Sequence, residues 1–238
     1  ERDYPIDDLL FVDDEQADAP DLPSEAAVVA HEDAELFERF VASNVASQVQ
    51  DGYSTIEVKV NQGDLTPDQF RGLARILREY GASRARATHW QNIVLRWIPT
   101  GNVYTVWREL RALGLGNSGA YEINDIVSCP GTDSCKMGIT SSMGLSRAIQ
   151  ARVEEMHIQD PLTRQILINL SGCPNSCGMH HVGNIGFHGA AIKSDARQVP
   201  AYHTFIGGNR RYGSEMRIGM LLKTRVPAKR APTVVERF

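Results

Sequence analysis

Two cysteine segments decide the fold assignment: Cys129-Pro-Gly-Thr-Asp-Ser-Cys135 and Cys173-Pro-Asn-Ser-Cys177. They contain all four cysteines of the 238-residue chain, with the spacings C-x5-C and C-x3-C. A structural zinc site usually has closer spacing, because its thiolates must converge on one small ion. Wider gaps favour an iron–sulfur cluster, whose irons hold the sulfurs further apart. On spacing alone, zinc, disulfides and free thiols stay open as alternatives.

Small or rigid residues flank the cysteines: Pro130, Gly131, Gly172, Pro174 and Gly178. A backbone of this kind can approach a cluster closely and direct N–H groups at its sulfurs. Such hydrogen bonds tune the reduction potential of the cluster. The flanking residues therefore support an iron–sulfur site.

The composition is that of an ordinary globular protein, with 42% apolar and 23% charged residues. The net charge of −4 favours neither nucleic acid nor a membrane surface as a partner. The chain opens with Glu1-Arg2-Asp3, which is not a secretory signal and has no initiator Met. We therefore expect a cytoplasmic protein that is processed or cut from a longer chain, in which clustered cysteines favour metal binding over disulfides.

The amino-terminal segment is strongly acidic. Residues 1–25 hold ten Asp and Glu side chains against a single base, Arg2, and are interrupted by Pro20 and Pro23. This pattern is typical of a solvated extension or a linker that wraps a partner. We assign residues 1–48 to such a segment.

Residues 49–116 predict a small α+β unit with the order β-α-β-β-α. A strand is expected over Tyr53–Val60, and two further strands over 84–88 and 92–98. Thr66-Pro67-Asp68-Gln69 has the pattern of a capping box and predicts a helix that Gly81 ends. A second helix is expected from Val103 to Gly114. We expect three tryptophans in the core of this unit: Trp90, Trp97 and Trp107.

Residues 117–238 predict a second α+β region. A helix is expected over Ser142–Met156, which has a helical stripe of apolar residues. Strands are expected over five further ranges: 120–127, 165–170, 184–187, 201–206 and 216–222. The first of these leads directly into Cys129.

Three stretches resemble the nitrite/sulfite reductase hemoprotein family. They are CPGTDSCKMGITSSMGLSRAI (129–149), INLSGCPNSCGMHHVGNIGFHGAA (168–191) and GYSTIEVKVNQGDLTPDQFRGLARIL (52–77). The resemblance covers about residues 37–238 and matches the carboxy-terminal half of that family. It implies a ferredoxin-like half-domain over 49–116, followed by an α+β domain over 117–238 that binds siroheme and a [4Fe–4S] cluster.

The resemblance also implies roles for individual residues. Cys129, Cys135, Cys173 and Cys177 would hold the [4Fe–4S] cluster, and Cys177 would also bridge to the siroheme iron. Asn175 would lie near this bridge. From the residues themselves, Thr140 and Ser141 are candidates to hold a siroheme carboxylate at a helix N-terminus, although the pattern favours simple capping.

Basic residues and histidines give weaker candidates. Siroheme has eight carboxylates, so Arg210 and Arg211, which follow Gly207-Gly208, are candidate partners. His180, His181 and His188 lie close to the last cysteine pair in sequence. His180 and His181 are candidate ligands of the cofactors, donors near them, or structural residues. His188 is a candidate cofactor contact or a structural residue.

The activity that the resemblance implies is six-electron reduction of nitrite to ammonia or of sulfite to sulfide. Reducing a small anion requires Arg and Lys donors on the substrate face. In the family these come mainly from the amino-terminal half, so no catalytic residue is assigned here and the isolated half is expected to be inactive. The expected partners are that half, a ferredoxin or flavoprotein donor and the anion. The alternatives are a [4Fe–4S] electron-transfer module without siroheme and a zinc-stabilised structural protein.

Overall fold

The computed structural model describes residues 19–21, 26–194, 197–211 and 213–238. Most of the acidic run at the amino terminus lies outside these residues, so its proposed role stays a prediction. The described chain forms two compact units. The first comprises the residues up to Val58, with Thr66–Ala87 and Ile93–Asn117. The second comprises Lys59–Leu65, Thr88–Asn92 and Ser118–Phe238.

The first unit is built on an antiparallel sheet with the strand order β1-β2-β4-β3. Its elements in chain order are α1 (Ala34–Asn44), β1 (Val45–Ser47), β2 (Tyr53–Val58), α2 (Pro67–Tyr80), β3 (Ala85–Ala87), β4 (Ile93–Pro99) and α3 (Val103–Ala112). The predicted order β-α-β-β-α is confirmed from β2 to α3.

Helix α1 lies within the range 1–48, for which the charge pattern predicts only an extension or linker. Its Phe40 is fully buried, and the ring centroid of Phe40 lies 6.2 Å from that of Trp107 in α3. Strand β1 directly follows α1 and pairs with β2, with Val45 opposite Ile56. The acidic composition of residues 1–25 does not predict that α1 packs on the first unit. Apolar side chains of α1 itself, such as Phe40, determine this packing.

The second unit is built on a mixed sheet with the order β5-β6-β7-β8-β9. Its strands are β5 (Val127–Ser128), β6 (Ile168–Ser171), β7 (Ile185–Ser194), β8 (Arg197–Ile206) and β9 (Met220–Pro227). The pairs β5–β6 and β6–β7 are parallel, whereas β7–β8 and β8–β9 are antiparallel.

Helices α4 (Ser142–Glu155), α5 (Pro161–Arg164) and α6 (Ala231–Arg237) complete the second unit. Leu145, Ile149 and Val153 form the buried stripe of α4, as the sequence predicts. They pack in one core with Phe187 and Tyr202 of the sheet. No helix in the described ranges combines the length and apolar character needed to cross a membrane.

Two predicted strands differ from those observed. Residues 120–126 form turns, and only Val127–Ser128 is a strand. The turn is held by Asp125, whose carboxylate accepts hydrogen bonds from the Tyr121 N–H and from Asn92 Nδ2, both at 2.8 Å. The last strand runs over Met220–Pro227 rather than 216–222.

The capping box of α2 gives a testable prediction for stability. Thr66 Oγ1 accepts from the Gln69 N–H at 3.2 Å, and Gln69 Oε1 accepts from the Thr66 N–H at 3.0 Å. We expect Thr66→Ala to lower the free energy of unfolding by about 1 kcal/mol. Thr66→Ser keeps the oxygen and should stay close to the original value. Equal denaturation midpoints for all three proteins would contradict the assignment.

Candidate metal centre

The strand register places the two cysteine motifs at the same edge of the second sheet. Strands β5 and β6 are parallel neighbours, with Ser128 opposite Leu170. Cys129 directly follows β5, and Cys173 follows β6 after Gly172. Because the carboxyl ends of parallel strands meet at one sheet edge, both motifs begin there.

Hydrogen bonds join the two motifs directly. The Gly172 N–H donates to Cys129 Sγ at 3.1 Å, and the Cys129 N–H donates to the Leu170 carbonyl at 3.1 Å. The Gly172 carbonyl in turn accepts from the N–H groups of Ile139 and Thr140, at 2.9 and 3.1 Å. The residue before Cys173 is therefore bound both to the first thiol and to the loop that follows Cys135.

Glycines allow this close approach. A Cβ on Gly172 would lie 2.6 Å from the Cα of Gly131. A Cβ on Gly178 would overlap the Leu170 carbonyl oxygen, and one on Gly189 would overlap that of Gly172. Backbone cannot yield as a flexible side chain does, so only glycine fits these positions.

The four cysteines are free thiols, which removes the disulfide interpretation for this structure. Cys129 and Cys173 are buried, whereas Cys135 and Cys177 are exposed. Within the described ranges, no three His, Cys, Asp or Glu side chains are arranged to hold one metal ion. Free thiols, an N–H donor at one sulfur and the close glycine backbone nevertheless fit a soft iron–sulfur cluster, whose ligands are more widely spaced.

The end of β5 is held by a residue that the sequence did not single out. Gln91 Nε2 donates to the Ser128 carbonyl at 2.7 Å, and the Ser128 N–H donates to Gln91 Oε1 at 2.9 Å. This paired contact fixes the backbone directly before Cys129. Gln91 lies far from the cysteines in sequence, so no local pattern reveals the role.

Three of the proposed cofactor-binding residues make structural hydrogen bonds. Thr140 Oγ1 donates to the Gly172 carbonyl at 3.3 Å. Ser141 caps α4 by accepting from the Gly144 N–H at 3.1 Å. Arg211 Nη2 donates to the carbonyls of Tyr121 and Gln165, at 3.0 and 2.9 Å. The cofactor role of these residues stays a prediction, as it does for the exposed Asn175.

Arg210 is different, because part of its guanidinium is buried without a protein partner. It lies over the ring of Trp90, 3.6 Å from the centroid, and Nη1 lies 3.6 Å from the sulfur of Met179. Nε and Nη2 are buried and have no hydrogen-bond partner among the described residues. Burial lowers the pKa of Arg210 to about 10, and Asp125 partly opposes this effect.

Trp90, expected in the first unit's core, instead belongs to the second unit.

The histidines near the last cysteine pair are brought together. His180 Nδ1 lies 2.9 Å from Ser171 Oγ, and His181 Nδ1 lies 3.0 Å from Ser176 Oγ. His188 lies 4.8 Å from His180, between ring centroids. A further histidine, His203, has its ring centroid 4.9 Å from that of His188 and was missed, because the pairing of β7 with β8 is not visible in the sequence.

Two family models match the chain. The nitrite/sulfite reductase ferredoxin-like half domain matches residues 46–113, and the nitrite and sulphite reductase 4Fe-4S domain matches residues 119–238. The second match covers half of the chain and contains all four cysteines.

Similar curated proteins include both nitrite and sulfite reductases. The chain is 31% identical to a ferredoxin–nitrite reductase of Synechococcus elongatus and 34% identical to the chloroplastic one of Zea mays. Each alignment covers 82% of this chain, but only 38% and 35% of those relatives. An assimilatory-type sulfite reductase of Nitratidesulfovibrio vulgaris is 27% identical, with 74% of both chains covered.

Solved structures share the fold. The Mycobacterium tuberculosis NirA protein matches with a TM-score of 0.67 over 92% of this chain and 39% of its own, at 22% identity. Dissimilatory sulfite reductase I matches with a TM-score of 0.54 over 74% of this chain and 58% of its own, at 11% identity. Together with the family models, these matches confirm the predicted α+β arrangement of a ferredoxin-like half-domain followed by a reductase domain.

The glycine packing makes a sharp prediction. Gly172→Ala places a methyl group against Gly131 backbone and should lower the free energy of unfolding by about 3 kcal/mol. The same change should weaken iron uptake, because it separates the two cysteine motifs. Gly72→Ala is the control, since its Cβ would meet only the end of the Leu113 side chain, which can move aside. Thermal unfolding and iron analysis of both variants test this; normal stability of Gly172→Ala would contradict it.

Proposed function

The chain belongs to the nitrite and sulfite reductase family, and we propose that it holds a [4Fe–4S] cluster coupled to siroheme. Cys129, Cys135, Cys173 and Cys177 are the proposed cluster ligands, with Cys177 also bridging to the siroheme iron. The observation that carries this proposal is the hydrogen bond that the Gly172 N–H donates to Cys129 Sγ, because it joins the two motifs. An N–H directed at a thiolate stabilises its negative charge, as a cluster ligand requires.

The exposure of two of the four cysteines leaves room for a second cofactor, siroheme, next to the cluster. Cys135 and Cys177 are exposed, and so are Met137 and Ile139 in the loop between the first motif and α4. An apolar macrocycle next to a thiolate would cover such a surface. Siroheme would supply the metal at which the anion is reduced, while the cluster stores electrons beside it.

Arg210 is the residue best suited to hold a siroheme carboxylate. Its buried Nε and Nη2 are two N–H donors on one side of the guanidinium, the geometry that binds a carboxylate through two oxygens. Stacking on Trp90 fixes the plane of the guanidinium. A buried unpaired cation is costly, so an anionic partner would stabilise the holoprotein.

The proposed reaction is the six-electron reduction of nitrite or sulfite. The alignments span 38% and 35% of the nitrite reductases of Synechococcus elongatus and Zea mays. We propose that this chain is the carboxy-terminal half of such an enzyme and that the remaining polypeptide supplies the cationic substrate residues. On this view, the isolated chain does not turn over.

A second arrangement is favoured by the relative from Nitratidesulfovibrio vulgaris. The alignment covers 74% of that protein, so a chain of similar length is named as a sulfite reductase. In this arrangement the residues present in this chain suffice for the reaction. Nitrite or sulfite reduction by the purified chain, without any added polypeptide, separates the two arrangements.

The relatives support a proposal for the electron donor, and the thiols support one for the location. Relatives named ferredoxin–nitrite reductase support a ferredoxin as donor, with a flavoprotein as the alternative. Four free thiols are compatible with a reducing compartment, and we propose the cytoplasm.

The first test is the colour of the anaerobically purified chain. Siroheme gives intense visible bands, a cluster alone gives broad brown absorbance, and zinc gives none. We expect siroheme bands, and each single Cys→Ser substitution should remove most of the bound iron. Ser134→Ala, between two ligands, should bind iron normally. Full iron content in all four Cys→Ser variants would refute the ligand set.

The second test uses Arg210→Gln. Loss of a charged hydrogen bond should weaken siroheme binding about 10- to 100-fold in an absorbance titration. The cofactor-free variant should be as stable as the original chain or more so, because a buried unpaired charge is removed. Arg217→Gln, at an exposed position, is the control. Unchanged siroheme affinity of Arg210→Gln would exclude the proposed role.

A further inference from the structure

A row of polar side chains crosses the second sheet. Ser171 of β6 lies opposite His188 of β7, His188 lies opposite His203 of β8, and His203 lies opposite Arg225 of β9. Residues directly opposite on neighbouring strands share one face of a sheet. The row therefore runs from the strand that leads to Cys173 to the exposed outer strand β9.

Contacts between tilted rings extend the row towards the cysteine motif. The ring centroids of His188 and His203 are 4.9 Å apart, those of His180 and His188 4.8 Å, and those of His180 and His181 4.0 Å. His181 Nδ1 in turn contacts the hydroxyl of Ser176, which lies between Cys173 and Cys177 in sequence. We call these four side chains the histidine column: His181, His180, His188 and His203.

The hydrogen-bond partners fix the tautomers of two rings. Arg225 Nε always donates, so at 3.1 Å from His203 Nε2 it leaves the His203 proton on Nδ1. His188 Nδ1 lies 3.1 Å from the Gly189 carbonyl and must donate to it, so His188 Nε2 is an acceptor. His203 Nδ1 and His180 Nε2 are buried without a protein partner in the described part of the chain.

The neutral form is favoured at three rings of the column, His180, His188 and His203. Burial is the largest cause of a lowered pKa at His180, His188 and His203, and it brings that of His180 to about 3. A neutral imidazole has one N–H and one lone pair. It can accept a proton at one nitrogen while it releases another proton from the other.

We propose that the histidine column carries protons from the β9 edge of the sheet to the cysteine motif. The proposal rests on the proposed function, because reduction of nitrite or sulfite consumes protons beside the cofactors. It adds a path for those protons through residues that bind neither the cluster nor the substrate.

Each transfer leaves the number of protons in the column unchanged. His203 passes its Nδ1 proton to His188 Nε2 and takes a proton from solvent at Nε2 once the exposed Arg225 moves aside. His188 then releases its own Nδ1 proton to His180, and His180 passes one on to His181. His181 gives one to the Ser176 hydroxyl, which releases its own proton to the reaction at the cofactors, and the tautomers reset. At centroid separations of 4.8 and 4.9 Å, one ring rotation or one bridging water completes each step.

The proposal is tested by proton uptake during photoreduction of the cofactor-loaded chain, followed with an indicator dye. His188→Gln and His203→Gln should reduce to the same extent but take up protons at least about tenfold more slowly. His157→Gln, outside the column, should behave as the original chain. The slow uptake of His203→Ala should recover with added imidazole, which a purely structural role does not predict.

Equal uptake rates in all variants, or reduction without any proton uptake, would overturn the column. A second measurement needs no cofactor: nitrogen NMR of the cofactor-free chain should show neutral His188 and His203 with the proton on Nδ1. Charged rings or the opposite tautomers would also overturn it. Failure to bind cofactors, by contrast, would refute the proposed function while the NMR result still decides on the column.

Discussion

The parallel pairing of β5 with β6 is the constraint on which the rest of the site depends. With Ser128 opposite Leu170, the two strands end side by side and each delivers a cysteine motif. A shift of one residue would turn every side chain of β6 to the other face. It would break the bond from the Gly172 N–H to Cys129 Sγ and also move Ser171 away from the histidines.

The surroundings of this pair hold its register. Gln91 binds both backbone groups of Ser128, and the close contact between Gly172 and Gly131 leaves no room for a side chain. Helices α4 and α6 contribute to the core that buries Phe187 and Tyr202 of the same sheet. Apolar packing thus stabilises the sheet, and backbone hydrogen bonds at its edge arrange the thiols.

Much of the fold could be predicted from the sequence, because the decisive signals are local. The capping box at Thr66, the helical stripe of α4 and the cysteine spacings all act within a few residues. Helix α1 and the turn around Asp125 were missed, since each depends on contacts that are distant in sequence, such as Phe40 with Trp107 and Asp125 with Asn92.

The same distinction applies to the candidate site. The four cysteines are recognisable from their spacing, whereas Gln91, the stacking of Arg210 on Trp90 and the position of His203 are set by strand pairing. The residues that surround the thiols therefore become visible only in three dimensions. They provide the hydrogen bonds and the buried charge that distinguish a cofactor site from four separate cysteines.

The central claim is that two cysteine motifs at one sheet edge bind a single iron–sulfur cube. Mössbauer spectroscopy of the chain reconstituted anaerobically with 57Fe tests this most directly, because it reports the number and valence of coupled irons. We expect the delocalised mixed-valence signal of a [4Fe–4S] cluster in stoichiometric amount. A signal from isolated thiolate-bound iron alone, with no coupled cluster under any reconstitution condition, would contradict the account.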